Sequence, residues 1–389
     1  MNKIFINKKG FATYVGVLIP FGSYYENSKV KGVAHFIEHA IFKGTTTRNR
    51  KEINNAIEGV GGDINAYTCE EQTFYHAIVA NKYKNLAINV MQDIALNPTF
   101  PAKEIDKERE VIIQELKMYE DNPSAIVGEL YNKIYYPKES GFHLPVIGTK
   151  ETLYKINREV LKNYHKINYQ NPTLIVIGDV KNKINKEEIL METTSNLVYK
   201  PKQSEYLEKR KIEQAHMIIG HDVYLPQYSK IDTILLLNLL KLLLNGMSGR
   251  LFGKIREENN LVYGIHFNYT VWSGGMITWY VNLGLDKAKI YKARKLIEQE
   301  MTKDVLKKEL EETIIKTIGT NALESEDINT ISELIVDCTR KQIDYRPLYH
   351  DFEKELRRVS GNLNEFIKAL NFKENLMVGI VPKIRCTKA

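Results

Sequence analysis

Cysteine is scarce in this 389-residue sequence: Cys69, Cys338 and Cys386 stand far apart, are odd in number and form no C-x-x-C pair. That pattern supports neither a disulfide framework nor a thiolate metal site, and the three thiols read as buried or incidental. Long hydrophobic runs are also missing. The longest, from Ile234 to Leu244, is broken by Asn238 and Lys241 and is too short to cross a bilayer. The run from Phe11 to Pro20 follows Lys8 and Lys9, but no small-x-small cleavage site comes after it. Tyr14 and the following Gly22-Ser-Tyr-Tyr25 suit a first β-strand better than a signal peptide. Strong charge of one sign is absent too: the net +7 is spread along the chain rather than gathered into a stripe, so nucleic acid is not implied. A soluble, cytoplasmic protein without a membrane span is expected.

What is present is ordinary globular composition, with 43% hydrophobic and 26% charged residues. The length exceeds what one compact core accommodates, so two domains are expected. Residues 11–20 read as a strand, followed by helices from Val33 to Phe42 and from about Arg50 to Val60. Asp63–Cys69 and Thr73–Val79 look like two strands joined by an acidic turn. Helices follow near 82–96 and 102–119, and a buried strand ends at Gly178-Asp179. Residues 186–210, polar and Lys- and Glu-rich, read as a linker between a domain at 1–185 and another at 211–389. In the second, a strand (Gln214–Val223), a helix (about 229–244) and strands near 261–270 and 275–284 precede charged helices over most of 286–370. Leu174–Asp179 and Leu376–Val381 echo one another, as two domains of similar α+β design would require.

The informative segment is His35-Phe-Ile-Glu-His39. On a helix the two histidines are one turn apart, so both imidazoles leave the same face and can grip one ion. Glu38 lies on the same arc, close to that ion without being needed as a ligand. The order is that of the metalloprotease motif read in reverse. Catalytic zinc takes three protein ligands and keeps one place open, so a third must come from elsewhere. The helix near 102–119 offers Glu104, Glu108, Glu110 and Glu115. Glu108 and Glu115 share a face with Val111 and Ile112, Glu104 falls on much the same face, and Glu110 points away. Carboxylates on an apolar stripe are costly unless paired or bound to metal.

Several further segments stand in a telling order. They are Gly32-Val-Ala-His-Phe-Ile-Glu-His39 with Phe42-Lys-Gly-Thr45, Gly61-Gly-Asp-Ile-Asn-Ala-Tyr-Thr68, Glu108-Arg-Glu-Val-Ile-Ile-Gln-Glu115 and Ile147-Gly-Thr149. Gly246-Met-Ser-Gly-Arg-Leu-Phe252, Arg256 and Leu261-Val-Tyr263 complete the series. Over essentially its whole length the sequence resembles the M16 (pitrilysin or insulinase) zinc metallopeptidases, in particular short bacterial members similar to the mitochondrial processing peptidase. The Lys-, Ile- and Asn-rich composition suits a bacterial source.

The resemblance implies two similar domains, each a mostly antiparallel sheet packed with helices, forming half of a clam-shell chamber that two chains enclose. It implies one zinc per chain on His35, His39 and Glu115, with Glu38 as general base and Glu108 orienting a ligand from behind. Arg256 and Tyr263 of the second domain would reach toward the substrate. Asn65, Ala66 and Tyr67 would hold it as an added strand. The implied activity is endopeptidase cleavage of short or unfolded peptides, with precursor processing among the uses it suggests, by a homodimer or by a heterodimer with a related subunit. The alternative is a non-catalytic peptide-binding subunit of such a heterodimer. No glycine-rich loop of the processing-peptidase partner is recognisable, and Asn245-Gly-Met-Ser-Gly249 is much shorter.

Overall fold

A computed structural model describes residues 1–181, 183–185 and 193–383, so Cys386 and all of 186–192 lie outside the described residues. Cys69 and Cys338 are free thiols. The chain divides into two compact units.

The first unit is built on a six-stranded sheet. Its strands are β1 (Asn2–Asn7), β2 (Ala12–Ile19), β3 (Asp63–Thr68), β4 (Thr73–Ala80), β5 (Thr173–Gly178) and β6 (Lys183–Asn185), in the order β3-β4-β2-β5-β1-β6. Only β1 and β5 run parallel; the other neighbours are antiparallel. The apolar run of β2 is continuous rather than alternating because both faces of the sheet are covered. Val15, Val17 and Ile19 join one core with Tyr75, Ala77, Val79, Leu174 and Val176. Onto that face pack the helices α1 (Val33–Ile41), α2 (Arg50–Glu58), α3 (Lys84–Leu96) and α4 (Ala102–Glu120). The alternate residues Tyr14, Leu18 and Phe74 point the other way, and the helix Ile328–Lys341 lies against β2 and β5. β3 is left as an edge strand.

The second unit carries a five-stranded sheet of β7 (Glu205–Arg210), β8 (Ala215–Tyr224), β9 (Val262–Val271), β10 (Met276–Leu285) and β11 (Leu376–Pro382). Its order is β7-β11-β8-β10-β9. Read from the hairpin edge, β9-β10-β8-β11-β7 repeats β3-β4-β2-β5-β1, including a single parallel pair, β7 with β11. The echo between β5 and β11 therefore marks equivalent strands of two similar α+β domains. Helix α5 (Pro123–Tyr135) packs on β8 and β11, although it lies in the first half of the sequence. The helix Ile328–Lys341 makes the reciprocal exchange. The chain passes between the units once more at Thr194–Ser195, inside the stretch expected to link two contiguous domains. None of the helices among the described residues is long and apolar enough to cross a membrane.

Candidate metal centre

The metal helix is placed by its apolar side. Val33, Ala34, Phe36, Ile37, Ala40 and Ile41 of α1 are all fully buried, which leaves His35, Glu38 and His39 as the polar edge of an otherwise apolar cylinder. Its N-terminus is held with unusual closeness. Gly32, the N-cap, has a φ of 94° and supplies no side chain, so the first amides of the helix turn to Glu26. Gly32 N donates to Glu26 Oε2 at 2.8 Å and Ala34 N to Oε1 at 2.6 Å. A Cβ on Gly32 would come within 2.5 Å of the Ile147 carbonyl, and one on Gly148 within 2.3 Å of the Lys31 carbonyl. The two glycines thus let backbone meet backbone, and Thr152 Oγ1 donates to Lys31 O at 2.7 Å beside them. Burial pushes the Glu26 carboxyl up to about 7, against the pull of Lys31 and the two amides.

The other end of α1 is anchored as well. Thr45 Oγ1 and Thr47 Oγ1 each donate to Asp93 Oδ2 at 2.7 Å, tying the turn after α1 to α3. Lys43 Nζ lies 2.5 Å from Glu108 Oε2, and His39 Nδ1 lies 2.9 Å from Glu108 Oε1. Glu108 sits on the buried stripe of α4 with Ile105, Ile112 and Leu116, which is affordable because both carboxylate oxygens are engaged. Burial would raise its pKa, but the hydrogen bonds from His39 and Lys43 prevail and hold it below the usual range.

Two turns along α4, Glu115 reaches the histidines. Its Oε2 stands 3.7 Å from His35 Nε2 and 3.5 Å from His39 Nε2. One ligand atom from each of the three residues lies within 4.8 Å of the others, and no second such cluster occurs among the described residues. Neither separation to Glu115 is that of a hydrogen bond. Tetrahedral zinc with bonds of about 2.1 Å would hold its ligands about 3.4 Å apart, so two imidazoles and a carboxylate at these spacings fit the ion in both geometry and chemistry. The two rings lie 4.6 Å apart between centroids. Burial, then the proximity of His39, lowers the His35 pKa to about 4 despite Glu115. His39 is driven the other way: burial would lower it, but the carboxylates of Glu108 and Glu115 win and raise it to about 9.

Glu38 takes no place among the three. Its Oε2 accepts a 2.7 Å hydrogen bond from Thr68 Oγ1 at the end of β3. Burial raises its pKa, with the Thr68 bond and His39 opposing. On the preceding residues of β3, Asn65 is exposed and its Oδ1 accepts from Ala66 N at 2.8 Å. Tyr67 faces away from α1 and donates to Glu333 Oε2 at 2.8 Å. Arg256 and Tyr263 meet each other in the second unit. Arg256 lies in the last turn of the π-helical stretch Phe252–Glu257, and its Nη1 donates to Tyr263 O at 2.9 Å. The guanidinium lies 4.6 Å from the centroid of the Phe252 ring and 4.8 Å from that of Tyr263. Tyr263 is 84% exposed. Glu104 and Glu110 stay outside the cluster; Glu104 is paired with Lys107 at 2.8 Å.

Three participants carried no role in the sequence reading: Thr68, Lys43 and Glu26. The first two lie inside segments that marked the family resemblance, so the signal was their place in those segments. Glu26 had no such mark.

The described residues thus form two similar α+β units and bring together one histidine–carboxylate cluster that could hold a metal ion. Residues 4–148 match the family described as insulinase, peptidase family M16, and residues 155–318 match the peptidase M16 inactive domain. Over 287 residues, 70% of this chain and 69% of its relative, the sequence is 33% identical to a Bacillus subtilis protein named uncharacterized zinc protease YmxG. A Rickettsia felis protein named uncharacterized zinc protease is 32% identical over 315 residues, 76% of this chain and 74% of that one. The chain belongs to peptidase family M16. The fold agrees with the crystal structure of a protease from Helicobacter pylori at a TM-score of 0.85 and 18% identity, covering 98% of this chain and 96% of that one. It agrees at 0.82 and 16% with a peptidase M16 inactive domain from Pseudomonas fluorescens, covering 98% and 95%.

Proposed function

We propose that this chain is a zinc-dependent endopeptidase that hydrolyses short or unfolded peptides, with one zinc per chain. The observation that carries the reading is the meeting of His35, His39 and Glu115 within 4.8 Å, with the Glu38 carboxylate beside them and outside the ligand set. Zinc, when bound, supplies an acidified water and a Lewis acid for the scissile carbonyl. His35, His39 and Glu115 hold the ion. Glu38 takes the proton of the attacking water and returns it to the leaving amine, a role that its place beside the ligand set and outside it supports. Glu108 keeps the His39 ring turned with Nε2 toward the ion.

The first domain thus acts as the catalytic one, and β3 receives the substrate at Asn65, Ala66 and Tyr67 as an added strand. That edge recognises backbone and makes few demands on sequence. The second domain contributes Arg256 and Tyr263 as donors to the oxyanion and the substrate backbone. Two copies of the chain enclose a chamber that folded proteins do not enter, and a leader-bearing peptide precursor is a fitting substrate. Light scattering on the isolated protein tests the pairing, and a pure monomer contradicts it.

The direct test is digestion of a peptide library by the zinc-loaded protein and by Glu38→Gln, with cleavage read by mass spectrometry. Glu38→Gln is expected to keep its zinc and to lose about 10²–10⁴-fold in turnover. Turnover that survives the change overturns the assignment of the base.

A further inference from the structure

We propose that Thr68 is a positioning residue for this reaction: its hydroxyl fixes the Glu38 carboxylate and ties the orientation of that base to the strand edge offered to substrate. The inference rests on the reading of Glu38 as the base.

Glu38 has few restraints of its own. It leaves α1 on a flexible side chain and, unlike His39, has no carboxylate bracing it from behind. Among the described residues the hydrogen bond that holds it is the one from Thr68 Oγ1, at 2.7 Å. A hydroxyl donating to a carboxylate makes a strong, directional bond in a site partly closed to water.

The strand fixes the donor. Ile64 and Ala66 pack against the core beneath α1, and the two-residue repeat of β3 puts Thr68 on that same face. Thr68 pairs with Thr73 at the end of the β3–β4 ladder, and as a β-branched residue it has a stiff χ1, so backbone placement sets the position of its hydroxyl. The neighbouring residue is pinned on the opposite face. Tyr67 donates to Glu333 at 2.8 Å and accepts from Gln72 Nε2 at 3.2 Å. The end of β3 is therefore gripped from both sides, by Thr68 toward α1 and by Tyr67 toward the helix Ile328–Lys341. A peptide laid along Asn65, Ala66 and Tyr67 borders directly on the residue that holds the base. Strand addition and base orientation share one short segment.

Two measurements test this. In the first, zinc-loaded wild type, Thr68→Val and Thr68→Ser are compared on one cleaved peptide. Valine keeps the shape and the β-branch while removing the donor. Thr68→Val is expected to lower kcat by about tenfold or more with KM and zinc content unchanged, and Thr68→Ser to recover most of the loss. A kcat equal to wild type in Thr68→Val, a loss confined to KM, or a loss that serine does not rescue overturns the proposal. The second uses zinc-free protein: a double-mutant cycle of Thr68→Val and Glu38→Ala read by urea midpoints. Non-additive midpoints are expected, and additive ones overturn the proposal. Because this cycle needs no turnover, a wild type that cleaves nothing counts against the peptidase reading while leaving the Thr68–Glu38 pair decided on its own.

Discussion

His39 and Glu108 stand in direct contact, with Nδ1 of the ring 2.9 Å from Oε1 of the carboxylate. The other oxygen of Glu108 faces Lys43 Nζ, so a chain of three residues runs from the turn after α1, through α4, back to the metal helix. With Nδ1 engaged, the tautomer and tilt of the ring leave Nε2 facing Glu115.

In the proposed zinc site Glu108 would act on the ion at one remove, through His39. Glu108→Ala is expected to weaken zinc binding by about 10–100-fold while leaving the three ligands in place. Competition against a chelator of known affinity measures it. Unchanged affinity refutes the orienting role.

Glu26 holds the first amides of the metal helix from a buried position next to Lys31. Glu26→Ala leaves two amides without their acceptor and takes the carboxylate away from a buried lysine that keeps the carbonyls of Ser23 and Gly141, at a cost of about 2–4 kcal/mol in unfolding free energy. Glu26→Gln keeps an acceptor and is expected to be much milder. Urea midpoints of the two variants should separate clearly, and equal midpoints contradict the capping role.

Much of α1 was legible because its sequence is apolar except at His35, Glu38 and His39, a pattern that burial alone does not explain. The β3–β4 pair and β5 were legible for similar local reasons. Other elements were not. β1 is short, and its partner β5 is some 170 residues away, so nothing local announces the parallel pairing. β7 hides in a charged stretch, Glu205-Tyr-Leu-Glu-Lys-Arg210, and becomes a strand by pairing with β11. The exchange of α5 and the helix Ile328–Lys341 is tertiary and leaves no trace in periodicity. At the site, residue types and spacing yielded the histidines, while the choice of Glu115 among four glutamates came from the family resemblance. A threonine that touches a base across two elements has no sequence signature of its own.

Asp222 offers a pH test outside the metal site. It is wholly buried on β8 and accepts from Tyr136 at 3.1 Å and from Thr278 at 2.7 Å; burial lifts its pKa to about 7. The folded chain then keeps a proton that the unfolded chain releases near the ordinary value of 3.8. As pH rises from about 4 to about 7 this group removes stability, on the order of a few kcal/mol in all, and above that it changes nothing further. Glu26 is raised to about 7 as well and adds a slope of the same sign. Asp222→Asn should be more stable than wild type at about pH 8 and close to it at about pH 5. Urea unfolding at the two pH values checks this, and an unchanged difference between wild type and variant at both contradicts it.

The most direct measurement is zinc titration of the metal-free chain and of Glu115→Ala, followed by calorimetry or a competing chelator. The account predicts one zinc per wild-type chain and an affinity that falls by orders of magnitude when the third ligand is removed. Binding by Glu115→Ala as tight as that of wild type would show that the ion, if any, is held elsewhere.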